Sequence, residues 1–359
     1  MIAAFDHPFL SGLVGDEEMA ALLGVESEIT AMLQFEKALA ETEASMDIVP
    51  AEAADAIGRA LENFHPDMLA LREGTARDGV VVPELVRQIR EAVGAPHSQQ
   101  VHFGATSQDV IDTALVLRAS ACLDLLGSRL NALVSAFAGL AHRFGDRPLT
   151  AFTRMQPAMP IRTADRIHSW RAPLLRHLDR LTAVHRSIGV VQLGGATGTL
   201  DSFGDKGAAV RAALAAQLGL ADAPQWHTQR DRVAELANWL SFLTGTLGKF
   251  GQDIALLAQT GDEIELAGGG SSSVMAHKCN PVAAEALVTL ARYNAVVLSG
   301  MHHALVHEQE RSGAAWMLEW MILPQMLMAA GASTRLAIAL IERIETIGGH
   351  PSGGTALPR

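Results

Sequence analysis

Apolar residues return at helical spacing along most of the chain. Between Asp16 and Ala44, Met32, Phe35 and Leu39 share one face while Glu36, Lys37 and Glu41 take the others, which predicts an amphipathic helix. Shorter pieces follow: a helix over Ala51 to Asn63, a break at His65-Pro66, another helix, and one more from Glu84 to Val93 behind Val82-Pro83. These breaks predict a small helical N-terminal domain over residues 1–100. Beyond it the helices lengthen. Ser107 to Phe144 contains no proline; Val110, Ala114, Leu117, Ala121 and Leu125 form one stripe, and Ile111, Leu115, Cys122 and Leu126 a second. A helix apolar on several sides is normally buried among other helices. Further long segments run from Pro173 to Val191, Arg230 to Leu266, Pro281 to Arg311 and Pro324 to Ile347. The expectation is an all-α fold: an elongated central bundle of long helices over residues 101–347, the small helical N-terminal domain before it, and a flexible tail over residues 348–359. Surplus apolar helix faces in such a bundle are expected to be covered by other subunits.

Composition narrows the function classes. Hydrophobic residues make up 49% and aromatics 5%, a balance suited to helices packed through Ala, Leu, Val and Met. A formal charge of −11 argues against a nucleic-acid partner, whose binding needs a basic field. Cys122 and Cys279 are the two cysteines, too few for a disulfide framework or a thiolate metal site. The first residues lack the basic start and apolar stretch of a signal peptide, and no uninterrupted apolar run of membrane-spanning length is present. The expectation is a soluble cytoplasmic protein without a membrane partner.

The chemistry concentrates in Gly268 to Glu285, GGGSSSVMAHKCNPVAAE. Its glycines and serines free the backbone to approach a ligand closely. Lys278, Asn280 and Pro281 follow, with Pro281 placed to start a helix whose first amides would present partial positive charge to the loop. That combination predicts an anion site; a Gly/Ser linker would account for the glycines and serines but not for the Lys and Asn. A second candidate is Thr106-Ser107, at the start of the longest helix, where hydroxyls and free amides can hold a carboxylate. The alternative there is an N-cap and nothing more. His303 and His307 stand at i, i+4 on a predicted helix, but without an HExxH order or a second ligating helix they read as a histidine face, not a metal site.

The run from Ser272 to Pro281 resembles the signature GSSxMPxKxNP of the fumarase/aspartase superfamily, with Ser271 and Ala276 standing where the signature has Gly and Pro. Val101 to Arg118, VHFGATSQDVIDTALVLR, is similar to the superfamily's first motif. Phe152 to Trp170, FTRMQPAMPIRTADRIHSW, is similar to its second, in which Thr-His-x-Gln-x-Ala-x-Pro is usual. Thr153, Gln156, Ala158 and Pro160 match, but Arg154 occupies the His position and Pro157 stands where some relatives carry a His. The superfamily pairs that His with a Glu, present here as Glu285, so the resemblance implies an Arg154–Glu285 pair. A guanidinium stays protonated and cannot shuttle protons near neutral pH.

That departure discriminates between reactions. Expelling an amine, an alkoxide or water needs a proton donor for the leaving atom. A carboxylate, with an unperturbed pKa of about 4, needs none. Loss of the His is therefore least damaging where the moving group is the substrate's own carboxylate, as in lactone formation. The superfamily's lactonising branch is that of the 3-carboxy-cis,cis-muconate cycloisomerases. The first motif resembles that branch, as does His307 to Gln325, HEQERSGAAWMLEWMILPQ, with Trp316, Glu319 and Trp320.

The resemblance implies a cofactor-free cycloisomerase of aromatic catabolism acting on a small polycarboxylate, 3-carboxy-cis,cis-muconate or an analogue such as a sulfomuconate, as a homotetramer with shared sites. It implies Ser272 as the group exchanging the proton with carbon, and Lys278 and Asn280 as carboxylate binders. Thr106 and Ser107 would hold a second carboxylate, with Gln156 also in substrate binding, Arg154 on an anion or on Glu285, and Arg311 on an anion or in a surface ion pair. His277 and Cys279 read as lining residues. Because a net charge of −11 repels a polyanion, the pocket itself must be locally positive. Relatives of the superfamily continue into a further C-terminal helical domain, which this chain is expected to lack. Two alternatives remain at this point: an adenylosuccinate-type lyase of the same superfamily, and a helical oligomeric relative without activity.

Overall fold

The structure is a computed structural model in which residues 4–270, 275 and 279–349 are described. After a short 3-10 turn come α1 (Ser11–Val14), α2 (Glu17–Leu23), α3 (Val25–Ser45), α4 (Ala51–Leu61), α5 (Met68–Asp78) and α6 (Val82–Val93). The long elements follow: α7 (Ser107–Phe144), the strands β1 (Pro148–Thr153) and β2 (Gln156–Arg162), and α8 (Thr163–Ile188). Then come α9 (Gly207–Gln217), α10 (Asp231–Thr260), β3 (Ile264–Leu266), α11 (Val282–His303), α12 (Ala314–Glu342) and β4 (Ile344–Ile347). The fold is all-α, with two small antiparallel ribbons, β1 with β2 and β3 with β4.

Local chemistry sets the helix ends. Asp16 and Asp67 cap α2 and α5 by accepting first-turn amides, from Met19 and from Leu69 and Ala70. Gly79 and Gly261 close α5 and α10 in the left-handed conformation that favours glycine. The single helix expected from Asp16 to Ala44 is two, because Gly24 is extended (φ −65°, ψ 163°) and breaks it.

Helix α7, 38 residues and about 57 Å long, is the spine. With α8, α10, α11 and α12 it builds the central bundle. Leu126, Leu130 and Phe137 of α7 are buried there against Trp170 and Leu174 of α8, Phe250 of α10 and Leu327 of α12. Phe137 and Trp170 meet the Phe250 ring edge-on at centroid distances of 5.0 and 5.1 Å. A second apolar cluster joins Phe35, Leu39, Ile57, Leu85 and Ile89 to Val191, Leu193, Val210 and Leu214. Val110, Ile111 and Ala114, in the first turns of α7, belong to this second cluster. The start of α7 therefore lies where the two cores meet.

Several expected boundaries shift. Pro173 and Pro324 lie inside α8 and α12 instead of starting them. An interior proline costs about 3 kcal/mol, but the preceding turns bury Ile167 and Trp170 on α8 and Trp316 on α12, and that burial keeps them helical. Helix α11 begins after Pro281, which is its N-cap, and ends at His303. His307 and Arg311 thus stand in the connection to α12, so the i, i+4 spacing of His303 and His307 does not present two rings on one helix face. By length and composition α11 and α12 could cross a membrane, with mean hydropathies of 1.3 and 1.2, but 67% of the apolar window of α12 is buried within the bundle.

Candidate active site

The first turn of α7 is built around one buried carboxylate. Asp109 accepts the Thr106 amide (3.0 Å), closing the N-terminus of the helix on itself. The same carboxylate accepts the amides of Gly194 (2.9 Å) and Gly195 (3.0 Å) and the Nε2–H of His227 (2.8 Å). Four donors from three separate segments thus neutralise a group that is 0% exposed. The glycines are required by this approach: a Cβ on Gly194 would stand 2.7 Å from the His227 ring, and Gly195 has φ +70°.

One turn further on, Asp112 holds a second buried hub. Its oxygens accept Arg230 Nη1 (2.7 Å) and Nη2 (3.1 Å), Trp316 Nε1 (3.0 Å) and Gln108 Nε2 (3.1 Å). The other edge of Arg230 is taken by Glu319, and the Trp226 ring lies 4.7 Å from the guanidinium carbon. Burial works against the Arg230 charge, but Asp112 and Glu319 more than offset it and hold its pKa above the usual arginine value. His307 Nε2 stands 3.5 Å from Glu319.

Against this framework sits Arg311. Its Nη1 donates to Thr106 Oγ1 (3.0 Å), its Nε to Gln108 Oε1 (3.2 Å), and its Nη2 to the carbonyls of Gly195 (3.3 Å) and Ala196 (3.1 Å). It meets no carboxylate among the described residues, so the surface ion pair is not formed. A fixed guanidinium, a threonine hydroxyl and the N-terminus of a 38-residue helix, with Ser107 as its first residue, converge on one exposed edge. This arrangement can hold a carboxylate.

The remaining candidates fall elsewhere in the chain. Asn280 exchanges both backbone hydrogen bonds with Gly270 at 3.0 Å, pinning the base of the segment between them. Gly269 and Gly270 permit this contact, since a Cβ on either would meet Cys279 Sγ at 2.4 Å or Val282 Cγ2 at 2.6 Å. Glu285 lies on the exposed side of the first turn of α11. Ser272, Lys278 and His277 lie outside the described residues. Arg154 and Gln156 are at the exposed tip of the β1–β2 hairpin, where Arg154 (φ 49°) and Met155 (φ 66°) occupy the two-residue turn in the left-handed region. The expected Arg154–Glu285 ion pair does not form within one chain.

Gln108, Asp109, Asp112, the Gly194–Ala196 run, His227 and Arg230 were not anticipated as parts of the site. The GGATG run and the WHTQRD run between long helices are the local signals that mark them.

Residues 17–295 match the family model described as Lyase. The chain belongs to the fumarase/aspartase superfamily. Among this superfamily's members, the 3-carboxy-cis,cis-muconate cycloisomerase of Pseudomonas aeruginosa is 39% identical over 91% of this chain and 73% of its own length. That of Bradyrhizobium diazoefficiens is 36% identical over 94% of this chain and 77% of its own. The crystal structure of 3-carboxy-cis,cis-muconate lactonizing enzyme from Pseudomonas putida superposes with a TM-score of 0.89 at 35% identity, covering 95% of this chain and 77% of that one.

Proposed function

We propose that this protein is a cofactor-independent 3-carboxy-cis,cis-muconate cycloisomerase, acting in the cytoplasm as a homotetramer with sites shared between chains. The observation that carries the reading is the Arg311 guanidinium bonded to Thr106 at the N-terminus of α7, in a chain 39% identical to a cycloisomerase of that name. In the reaction one substrate carboxylate adds its oxygen to the conjugated double bond, forming the lactone C–O bond. The π electrons move to the carbon next to a second carboxylate, which takes up the developing negative charge. Donors already aimed at that charge supply the largest catalytic contribution, commonly a few kcal/mol for each donor. Lys278 and Asn280 take this role, and the Ser272 hydroxyl delivers the proton to carbon. Thr106, Ser107 and Arg311 hold a carboxylate that does not react.

Because the attacking group is already ionised, no proton shuttle is required where Arg154 stands. Arg154 and Gln156 of one chain would reach Glu285 and the α7 terminus of others. This assignment is supported by the exposure of the hairpin, including Phe152, Met155 and Met159. The test is loss of the conjugated-diene absorbance of 3-carboxy-cis,cis-muconate on adding purified protein without metal or nucleotide, with the product identified as a lactone. Absence of turnover on this compound, with turnover of adenylosuccinate in its place, would overturn the reading.

A further inference from the structure

Gln108 is fully buried, yet it is bonded to the exposed Arg311. Its amide orientation is dictated by chemistry. Nε2 faces the Asp112 carboxylate (3.1 Å) and the His227 carbonyl (2.8 Å), both of which can only accept. Oε1 faces the Arg311 Nε–H (3.2 Å), which can only donate. Flipping the amide would set like against like at all three contacts. Asp112 is itself fixed by the bidentate Arg230. Gln108 therefore ties the Nε edge of Arg311 to the buried hub, beside the bonds that Thr106, Gly195 and Ala196 make to its other nitrogens.

The consequence for recognition follows from counting. Nη2 and Nε are committed to Gly195, Ala196 and Gln108. Nη1 carries two N–H groups and meets one acceptor among the described residues, Thr106 Oγ1, so one N–H remains beside the α7 terminus. We propose that Gln108 is a positioning residue that holds Arg311 so that a single Nη1–H meets a substrate carboxylate. This deepens the site reading above and rests on it: recognition depends on the fixed direction of one N–H, not on positive charge alone.

The experiment is a double-mutant cycle on the full chain with Arg311→Ala and Gln108→Met. It is read as the Kd of tricarballylate, a tricarboxylate that cannot react, by calorimetry, and as KM and kcat for 3-carboxy-cis,cis-muconate. Each single variant is expected to raise Kd and KM about tenfold, the range for a charge-assisted hydrogen bond, with kcat changed less. The double variant should match Arg311→Ala, because Gln108 acts through Arg311. Multiplicative effects would show a merely structural role and overturn the proposal. Where Gln108→Met does not fold, Arg311→Lys decides: the side chain is exposed, the charge is kept and the fork is lost, so the expected result is a tenfold rise and an unchanged Kd refutes the proposal. A wild type that binds tricarballylate with this non-additivity but leaves the muconate unchanged would overturn the proposed reaction alone. A wild type that does not bind the tricarboxylate would overturn the positioning role.

Discussion

Glu43 of α3 is a buried carboxyl group without a hydrogen-bond partner among the described residues. It is 0% exposed, neither oxygen has a hydrogen-bond partner among the described residues, and burial, with a further contribution from the Glu36 carboxylate, raises its pKa from 4.5 to about 9. The folded chain therefore holds a proton there through neutral pH, while the unfolded chain releases it near pH 4.5. Because the native state binds more protons in this window, stability is fully present below pH 4.5 and is lost as pH rises toward 9. The slope is about 1.4 kcal/mol per pH unit, so about 3 kcal/mol disappears between pH 5.5 and 8. Glu43→Gln keeps the shape and cannot ionise, and should remove that slope. The assay is urea denaturation of both proteins at pH 5.5 and pH 8 at one protein concentration. The variant's advantage should grow by about 3 kcal/mol over the interval; growth below about 0.5 kcal/mol would refute the buried-proton argument. Glu36 also holds His102 at 2.6 Å, in the segment leading into α7, so the same acid pair bears on the entry to the site.

Arg230→Met should destabilise the protein by about 3–5 kcal/mol in the same assay, because it strands the buried carboxylates of Asp112 and Glu319. Ser272→Ala should abolish muconate turnover with an unchanged circular dichroism spectrum; near-normal turnover would remove Ser272 from the mechanism. Equilibrium sedimentation should give about four times the 38.1 kDa chain mass, and a stable monomer would sink the shared-site proposal.

What was legible in the sequence divides along physical lines. The extent of α7, Ser107 to Phe144, could be read directly because two continuous apolar stripes and a Thr106 cap leave one solution. Thr106 and Ser107 stand at the start of that helix, as the same pattern predicts. The prolines misled at Pro173 and Pro324, where local propensity lost to burial of the surrounding turns. The β1–β2 ribbon was not anticipated; Pro148, Pro157 and Pro160 weaken any strand signal there, and both strands are edges, where proline is tolerated. The hubs were hidden for another reason. Arg230 meets Asp112 across 118 residues and Glu319 across 89, and no local pattern encodes such a pairing.

The Asp109 hub also constrains the order in which the molecule can be made. Its partners at Gly194, Gly195 and His227 follow it by 85, 86 and 118 residues, so a chain emerging from synthesis through α8 has the helix but not the donors. Until they arrive, an ionised Asp109 cannot be buried without penalty, and the Gly195 and Ala196 carbonyls that steady Arg311 have no place to stand. Contacts of this separation are late events, because the intervening chain must be closed before they repay its entropy. The arrangement proposed for anion recognition at the α7 terminus is thus completed late in folding.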